Sequence, residues 1–185
     1  MDLGFRMHAE RTPNPNSIKW VLGQTVAEDF GSASFSKDVT PEVSPLAASI
    51  LEQDGVEGVY LGPTFITVTK ADEMEWTDLA ASIVASIKAW VATGESAFGP
   101  AYEPPEKADE DEVTAKIRVI LERDVRPYVE ADGGEIVFAG YRDGVVEVIL
   151  QGACAGCPSS SITLKLGIEA RLKEEIPEVR SVIAL

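Results

Sequence analysis

The stretch TGESAFGPAYEPPEKADED, residues 93–111, constrains the architecture more than any other. Its three prolines, two glycines and closing acidic run bury too little apolar surface to fold, so it reads as a flexible linker. A chain of 185 residues has room for one large domain or two small ones, and a linker placed here selects two. The expected units are residues 1–92 and residues 112–185, both small α/β domains, which makes the chain α+β in class. No internal repeat relates them.

In the first unit, Phe5–Arg11 and Ile18–Leu22 read as short strands. Between them Thr12-Pro13-Asn14-Pro15-Asn16 marks a turn, which is read as structural. Phe30–Phe35 reads as a third strand. Ser44 is placed to cap a helix with Pro45 at its first position and Leu46, Ile50 and Leu51 on its apolar face. Val56–Leu61 and Thr64–Thr69 read as strands joined at Gly62-Pro63, and Ile66 and Val68 alternate with threonines as a half-buried strand requires. A last helix from Thr77 carries Leu79, Ile83, Ile87 and Trp90 at helical spacing, and Gly94 stops it. Trp20, Trp76 and Trp90 read as packing residues.

The second unit reads α-β-β-α-β. Val113, Ile117, Ile120, Leu121 and Val125 line a helix that continues to Val129, and Pro127 inside it should kink or split it. Asp132-Gly133-Gly134 supplies a left-handed cap and strand entry. Glu135–Tyr141 and Val145–Leu150 pair through Arg142-Asp143-Gly144. A helix from about Pro158 to Glu175 carries Leu164, Ile168 and Leu172, with Ile162 and Leu166 widening the stripe. Val179–Leu185 closes the unit as a strand.

Between the second strand and that helix lies Gly152-Ala153-Cys154-Ala155-Gly156-Cys157-Pro158-Ser159-Ser160-Ser161, which holds the chain's two cysteines in one C-x-x-C. Small residues let backbone approach a bound inorganic group. A helix starting at Pro158 would aim its free N–H groups at the sulfurs and favour thiolate, the form that binds soft metals. Ser159, Ser160 and Ser161 would open that helix or donate to a bound group.

Formal charge is −15, split as −12 over residues 1–111 and −3 over the rest. That balance argues against a nucleic-acid or anionic-membrane surface, and the acid reads as a solubilising surface. Two cysteines make no disulfide framework, no apolar run approaches a membrane span, and residues 1–16 resemble neither a signal nor a transit peptide. The expectation is a soluble cytoplasmic protein of bacterial type.

Four roles compete for Cys154 and Cys157. Buried core cysteines would sit at apolar periodic positions, whereas these lie in a Gly-rich break. A thiol–disulfide oxidoreductase uses C-x-x-C at a helix N-terminus, although here a helix and hairpin precede it and Pro158 follows the pair. Structural zinc needs four ligands, and the only histidine, His8, falls in the other unit and reads as a strand residue. An iron–sulfur cluster usually takes four thiolates. One chain has two, and a two-fold dimer repeats the same patch and completes the set. Ligands shared across a seam suit a carrier that must release its cargo.

DVRPYVEADGGEIVF followed by GVVEVILQGACAGCPSSSITLKLGIEARLKEEIPEV resembles the C-terminal domain of NifU-like, or Nfu-type, iron–sulfur scaffold and carrier proteins across residues 112–185. The first unit, with RTPNPNSIKW, resembles the accessory domain that precedes it in many of them. The resemblance implies a non-enzymatic homodimer that bridges a [4Fe–4S] cluster, or a [2Fe–2S] one, through Cys154 and Cys157. It implies an upstream donor and apo-protein recipients. The chain is then expected to hold its cysteines on an exposed loop, with the first unit recognising partners and swinging on the linker. The oxidoreductase remains the alternative.

Overall fold

The computed structural model describes residues 5–27, 30–104, 111–156 and 160–185. Its first sheet comprises β1 (Met7–Arg11), β2 (Ser17–Leu22), β3 (Ala33–Phe35), β4 (Val56–Leu61) and β5 (Phe65–Lys70). The spatial order is β1-β2-β5-β4-β3, every neighbour antiparallel. β5, central in the sheet, is buried at Phe65, Ile66, Thr67 and Val68, the continuous burial of a strand covered on both sides. Two helices, α1 (Pro45–Leu51) and α2 (Trp76–Thr93), share one core with the strands. Ser44 caps α1 by accepting from Ala47 N at 3.2 Å, and its hydroxyl donates to Ala97 O at 2.7 Å. On α2, Leu79, Ile83 and Ile87 are buried and Gly94 closes the helix at φ 68°. Cutting Ile83 or Ile87 to alanine would cost about 2–5 kcal/mol.

The second sheet follows α3 (Glu112–Ile120), a π-helical turn (Leu121–Val125) and α4 (Arg126–Ala131). Its strands are β6 (Gly134–Arg142), β7 (Val145–Gly152) and β8 (Ser181–Ala184), with α5 (Ser160–Glu175) between the last two. β6 and β7 are antiparallel, and β7 and β8 are parallel across α5. The turn between β6 and β7 places Asp143 at φ 51° and Gly144 at φ 82°, the left-handed pair that matches strand twist. Pro127 explains the π turn. A proline ring collides with the carbonyl four residues back, and a turn one residue wider relieves that contact without ending the helix. Arg126 N–H accordingly reaches back five residues to Leu121 O.

The stripe on α5 is narrower than its sequence suggests. Ile168 and Leu172 are buried and Leu164 packs against them, but Ile162 and Leu166 are 68% and 60% exposed. Residues two apart on a helix point about 200° from each other, so positions 162 and 166 cannot share a face with 164 and 168.

The segment from residue 93 is packed over much of its length. Ala97 and Phe98 are buried in the first core, and Phe98 stacks on Tyr102 with ring centroids 4.4 Å apart. Gly99 N donates to Val43 O at 2.9 Å and Ala101 N to Glu42 O at 2.9 Å. The prolines and acids had outweighed Ala97, Phe98 and Tyr102, which supply the apolar surface; residues 105–110 lie outside the described residues.

The two sheets are also in contact. Tyr60 OH donates to Glu135 Oε2 at 3.0 Å, and Thr67 Oγ1 donates to Gly133 O at 2.7 Å. Lys19 Nζ donates to Glu130 O at 2.9 Å, which also accepts from Gly133 N at 3.0 Å, and to Ala131 O at 3.2 Å, both at the end of α4. The first unit is therefore docked against the α4–β6 corner, where a swinging unit had been expected.

Candidate functional site

Cys154 lies two residues beyond β7, in a turn closed by Ala155 N donating to Gly152 O at 3.1 Å. Gly152 adopts φ 62°, and a Cβ there would meet Gly133 O at 2.6 Å and Tyr60 Cδ1 at 3.2 Å. A side chain at 152 would thus separate the turn from both the α4–β6 corner and the first sheet. Gly133, at φ 79°, accepts at its carbonyl from Ala153 N at 3.1 Å as well as from Thr67. Gly134 leaves the space that Cys154 occupies: a Cβ at 134 would sit 2.5 Å from Cys154 Sγ.

The expectation of an exposed loop holds for its backbone and fails for this thiol. Ala155 and Gly156 are exposed, whereas Cys154 is 5% exposed and packs in the second core. The reason is local. The gap over Gly134 admits a side chain the size of cysteine, and the turn directs it there. Cys157, Pro158 and Ser159 lie outside the described residues, as do the side chains of Ser160 and Ser161.

Beside Cys154 runs a groove of about 760 Å³, lined in part by Pro13, Tyr128, Val129, Leu164 and Ile168. Tyr128 is 75% exposed at its edge. The far end is ionic. Arg171 Nε and Arg123 Nη2 contact Asp124 at 2.8 and 2.7 Å, and the Arg123 hydrogen bond, with Arg171 second, holds the Asp124 carboxyl down at about 2. On the other side of the corner Glu135 is 7% exposed and accepts from Tyr60 OH and from Arg126 Nη2, the latter at 2.9 Å. Burial pushes its carboxyl above the usual carboxylate range, against the opposing pull of Arg126 and Tyr60. Burial likewise pushes the Tyr60 hydroxyl up.

The remaining residues singled out from sequence fall elsewhere. His8 sits on β1, its Nε2 2.9 Å from Glu10 Oε1, and is not among the residues that line the groove beside Cys154. Trp20 is buried in the first core, Trp90 packs against it, and Trp76 Nε1 donates to Pro15 O at 3.2 Å. The turn at Thr12–Asn16, read as structural, reaches the cysteine turn: Asn14 Nδ2 donates to Ala153 O at 3.1 Å. No pattern of short-range spacing announces that contact, which spans 139 positions.

The fold and the turn define a class: a two-part α+β protein that presents a cysteine between a glycine-cleared strand end and the crossover helix of a small mixed sheet. Two family models match it in tandem. The one described as "Scaffold protein Nfu/NifU N terminal" covers residues 7–94, and the one described as "NifU-like domain" covers residues 117–183. The human "NFU1 iron-sulfur cluster scaffold homolog, mitochondrial" is 41% identical over 95% of this chain and 70% of its own length. "NifU-like protein 4, mitochondrial" of Arabidopsis thaliana is 39% identical over 95% of this chain and 64% of its own. The Drosophila sechellia protein of the same name as the human one is 37% identical over 95% and 63%. The chain belongs to the Nfu-type, NifU-like scaffold family.

The relatives correct one expectation. A cytoplasmic, bacterial-type setting had been read from residues 1–16, yet the relatives named here are mitochondrial. The lack of a leader-like pattern in one short stretch does not establish a compartment, and that reading is withdrawn. Among the described residues no helix is long and apolar enough to cross a membrane.

Proposed function

We infer that this chain carries an iron–sulfur cluster as cargo, a [4Fe–4S] unit held between two copies by Cys154 and Cys157 of each, and hands it to apo-proteins. The chain acts as a scaffold and not as a catalyst. The observation that carries the reading is Cys154 itself. The chain clears a pocket for its sulfur with Gly134 and bends the strand end with Gly152, beside a backbone that stays exposed at Ala155 and Gly156. The names of the human and Drosophila sechellia relatives, which describe iron–sulfur cluster scaffold homologs, support it. So does the exposed apolar surface of Ile162 and Leu166 on α5, which a paired copy would cover.

Release proceeds by ligand exchange. An incoming target thiolate bonds to an iron as one Fe–S(Cys) bond breaks, the departing cysteine takes up the proton lost by the incoming thiol, and no electrons change hands. Thiolate suits the task because it binds soft iron strongly and exchanges through an associative step. Few ligands per copy keep the cluster removable. On this reading the second part, residues 112–185, ligates the cluster and the first contacts donor or recipient.

Anaerobic reconstitution with iron and sulfide tests this. The expected product has the broad absorbance of iron–sulfide charge transfer, two chains per cluster by native mass, and four irons and four sulfides per dimer. Cys154→Ser and Cys157→Ser each abolish uptake. Uptake of stoichiometric zinc with no iron, or a complete cluster on a monomer, overturns the proposal.

A further inference from the structure

The turn Thr12–Asn16 has more bracing than a link between two strands needs. Thr12 Oγ1 donates to Asn14 O at 2.9 Å and accepts from Asn14 N at 3.2 Å. Asn14 Oδ1 accepts from Asn16 N at 3.0 Å, and Asn14 O accepts from Ser17 N at 3.0 Å. Outside the turn, Trp76 Nε1 holds Pro15 O, while Asn16 is held by Asp72 and by Lys70 Nζ at 3.0 Å. These contacts account for every polar group of Asn14 except Nδ2. That amide nitrogen leaves the first unit and donates to Ala153 O at 3.1 Å and, at a longer 3.5 Å, to Ala155 O.

The two carbonyls belong to the residues on either side of Cys154. Ala153 O lies in the peptide before Cys154, and the peptide after it is held by Ala155 N donating to Gly152 O at 3.1 Å, so the side chain between them keeps its direction, into the core over Gly134. Asn14 is 6% exposed, so breaking this contact without opening the interface would leave a buried donor unsatisfied. Pro13 completes the arrangement by lining the groove beside Cys154.

We propose that the Thr12–Asn16 turn is a clasp on the cysteine turn, and that Asn14 is a positioning residue that keeps the Cys154 sulfur inward until the loop is engaged. The purpose of the clasp rests on the cluster-carrier reading, because a ligand shared between copies must face outward and the clasp must then let go. The bond to Ala155 O is the longer of the two and is the first to yield. The clasp itself is a statement about the thiol and is testable without iron.

Asparagine at the first position of the Asn14–Ser17 turn has a structural task, accepting at Oδ1 from Asn16 N, that aspartate performs equally well. Aspartate cannot donate. Asn14→Asp therefore keeps the turn and removes the clasp, placing a carboxylate against two carbonyls. The test uses the full chain with Cys157→Ser, in which Cys154 is the only thiol. Iodoacetamide alkylation is measured on the plateau above the thiol's titration. The net worth of one or two hydrogen bonds predicts a rate roughly three- to tenfold faster for both Asn14→Asp and Asn14→Ala. Amide exchange in the same Asn14→Asp variant should rise in residues 151–156 and stay unchanged in residues 7–22. If Asn14→Asp alkylates at the parent rate, or if exchange rises equally in residues 7–22, the turn is only structural and the proposal is overturned. Neither readout involves iron, so its failure leaves the carrier reading standing, and failed reconstitution leaves the clasp standing.

Discussion

Gly134→Ala puts the closest contact of the cysteine site under direct test. The added methyl would lie 2.5 Å from Cys154 Sγ, 3.0 Å from Cys154 Cβ and 2.8 Å from the Gln151 carbonyl oxygen. Ordinary carbon contacts begin near 3.5 Å, so the sulfur must retreat by about 1 Å. The core closes one side of it, and the groove that Cys154 lines leaves room on the other. The Gln151 carbonyl is worse placed to yield, because Gln151 pairs with Glu135 in the β6–β7 ladder and is backbone. Overpacking of this kind costs about 1–3 kcal/mol, and a clash on two sides puts Gly134→Ala near the top of that range. For a unit of this size, about 3 kcal/mol lowers the melting temperature by roughly 12–24 °C.

The assay is urea unfolding of the apo-protein followed by far-UV circular dichroism. Tryptophan fluorescence is the internal control, since all three tryptophans precede residue 93 and report on the first unit. The double variant Gly134→Ala/Cys154→Ala separates the two clashes. Removing the sulfur should recover about 1 kcal/mol of the loss, seen as non-additivity in the cycle, while the Gln151 contact keeps the rest. A Gly134→Ala protein within about 0.5 kcal/mol of the parent, or a strictly additive cycle, refutes the reasoning that Gly134 exists to admit Cys154.

The docked corner should respond to pH through Glu135, whose carboxyl burial pushes above its ordinary value. A raised acid favours its protonated form when buried, so its stabilising contribution is complete below the ordinary carboxylate range and is lost as pH rises through the shifted value. Urea midpoints from pH 4 to pH 8 should therefore fall more with rising pH in the parent than in Glu135→Gln; parallel curves would dismiss Glu135 as the titrating group. Ser44→Ala removes both the cap bond to Ala47 N and the donor to Ala97 O from a fully buried site, and should cost about 1–2 kcal/mol in fluorescence-monitored unfolding. A smaller loss would mean that residue 97 is held by packing alone.

Much of the fold was readable because its signals are local. Ser44-Pro45, Gly94 and Asp143-Gly144 each act within a few positions, through a cap bond or a positive φ, and each stands where its chemistry places it. Pro127 was legible as a disturbance but not in its form, since a π turn and a kink both relieve the same ring. The stretch after residue 93 misled because composition was averaged over it. Ala97, Phe98 and Tyr102 are a minority by count, and they decide its packing, Ala97 and Phe98 by burial in the first core and Phe98 and Tyr102 by ring contacts with Phe35 and with each other. On α5 the apolar residues were counted without their angles, and two of them face outward.

The site divides along the same line. That a cysteine follows β7 in a glycine-rich turn could be read from ten consecutive residues, but the orientation of its sulfur could not. Orientation depends on three groups far apart in the chain: Gly134 from the previous strand, Tyr60 and Thr67 from the first sheet, and Asn14 from a turn near the beginning. Each acts by an ordinary force, a van der Waals limit or a hydrogen bond, and none leaves a periodic trace. This division has a mechanical consequence. A cysteine whose direction is set by contacts from another unit can be turned outward by separating the units, with no change in the turn's own residues. Anything that competes for the Ala153 and Ala155 carbonyls, or draws Tyr60 and Thr67 away from the α4–β6 corner, therefore changes the thiol's exposure. The docking of the first unit is coupled in this way to the chemistry of the second.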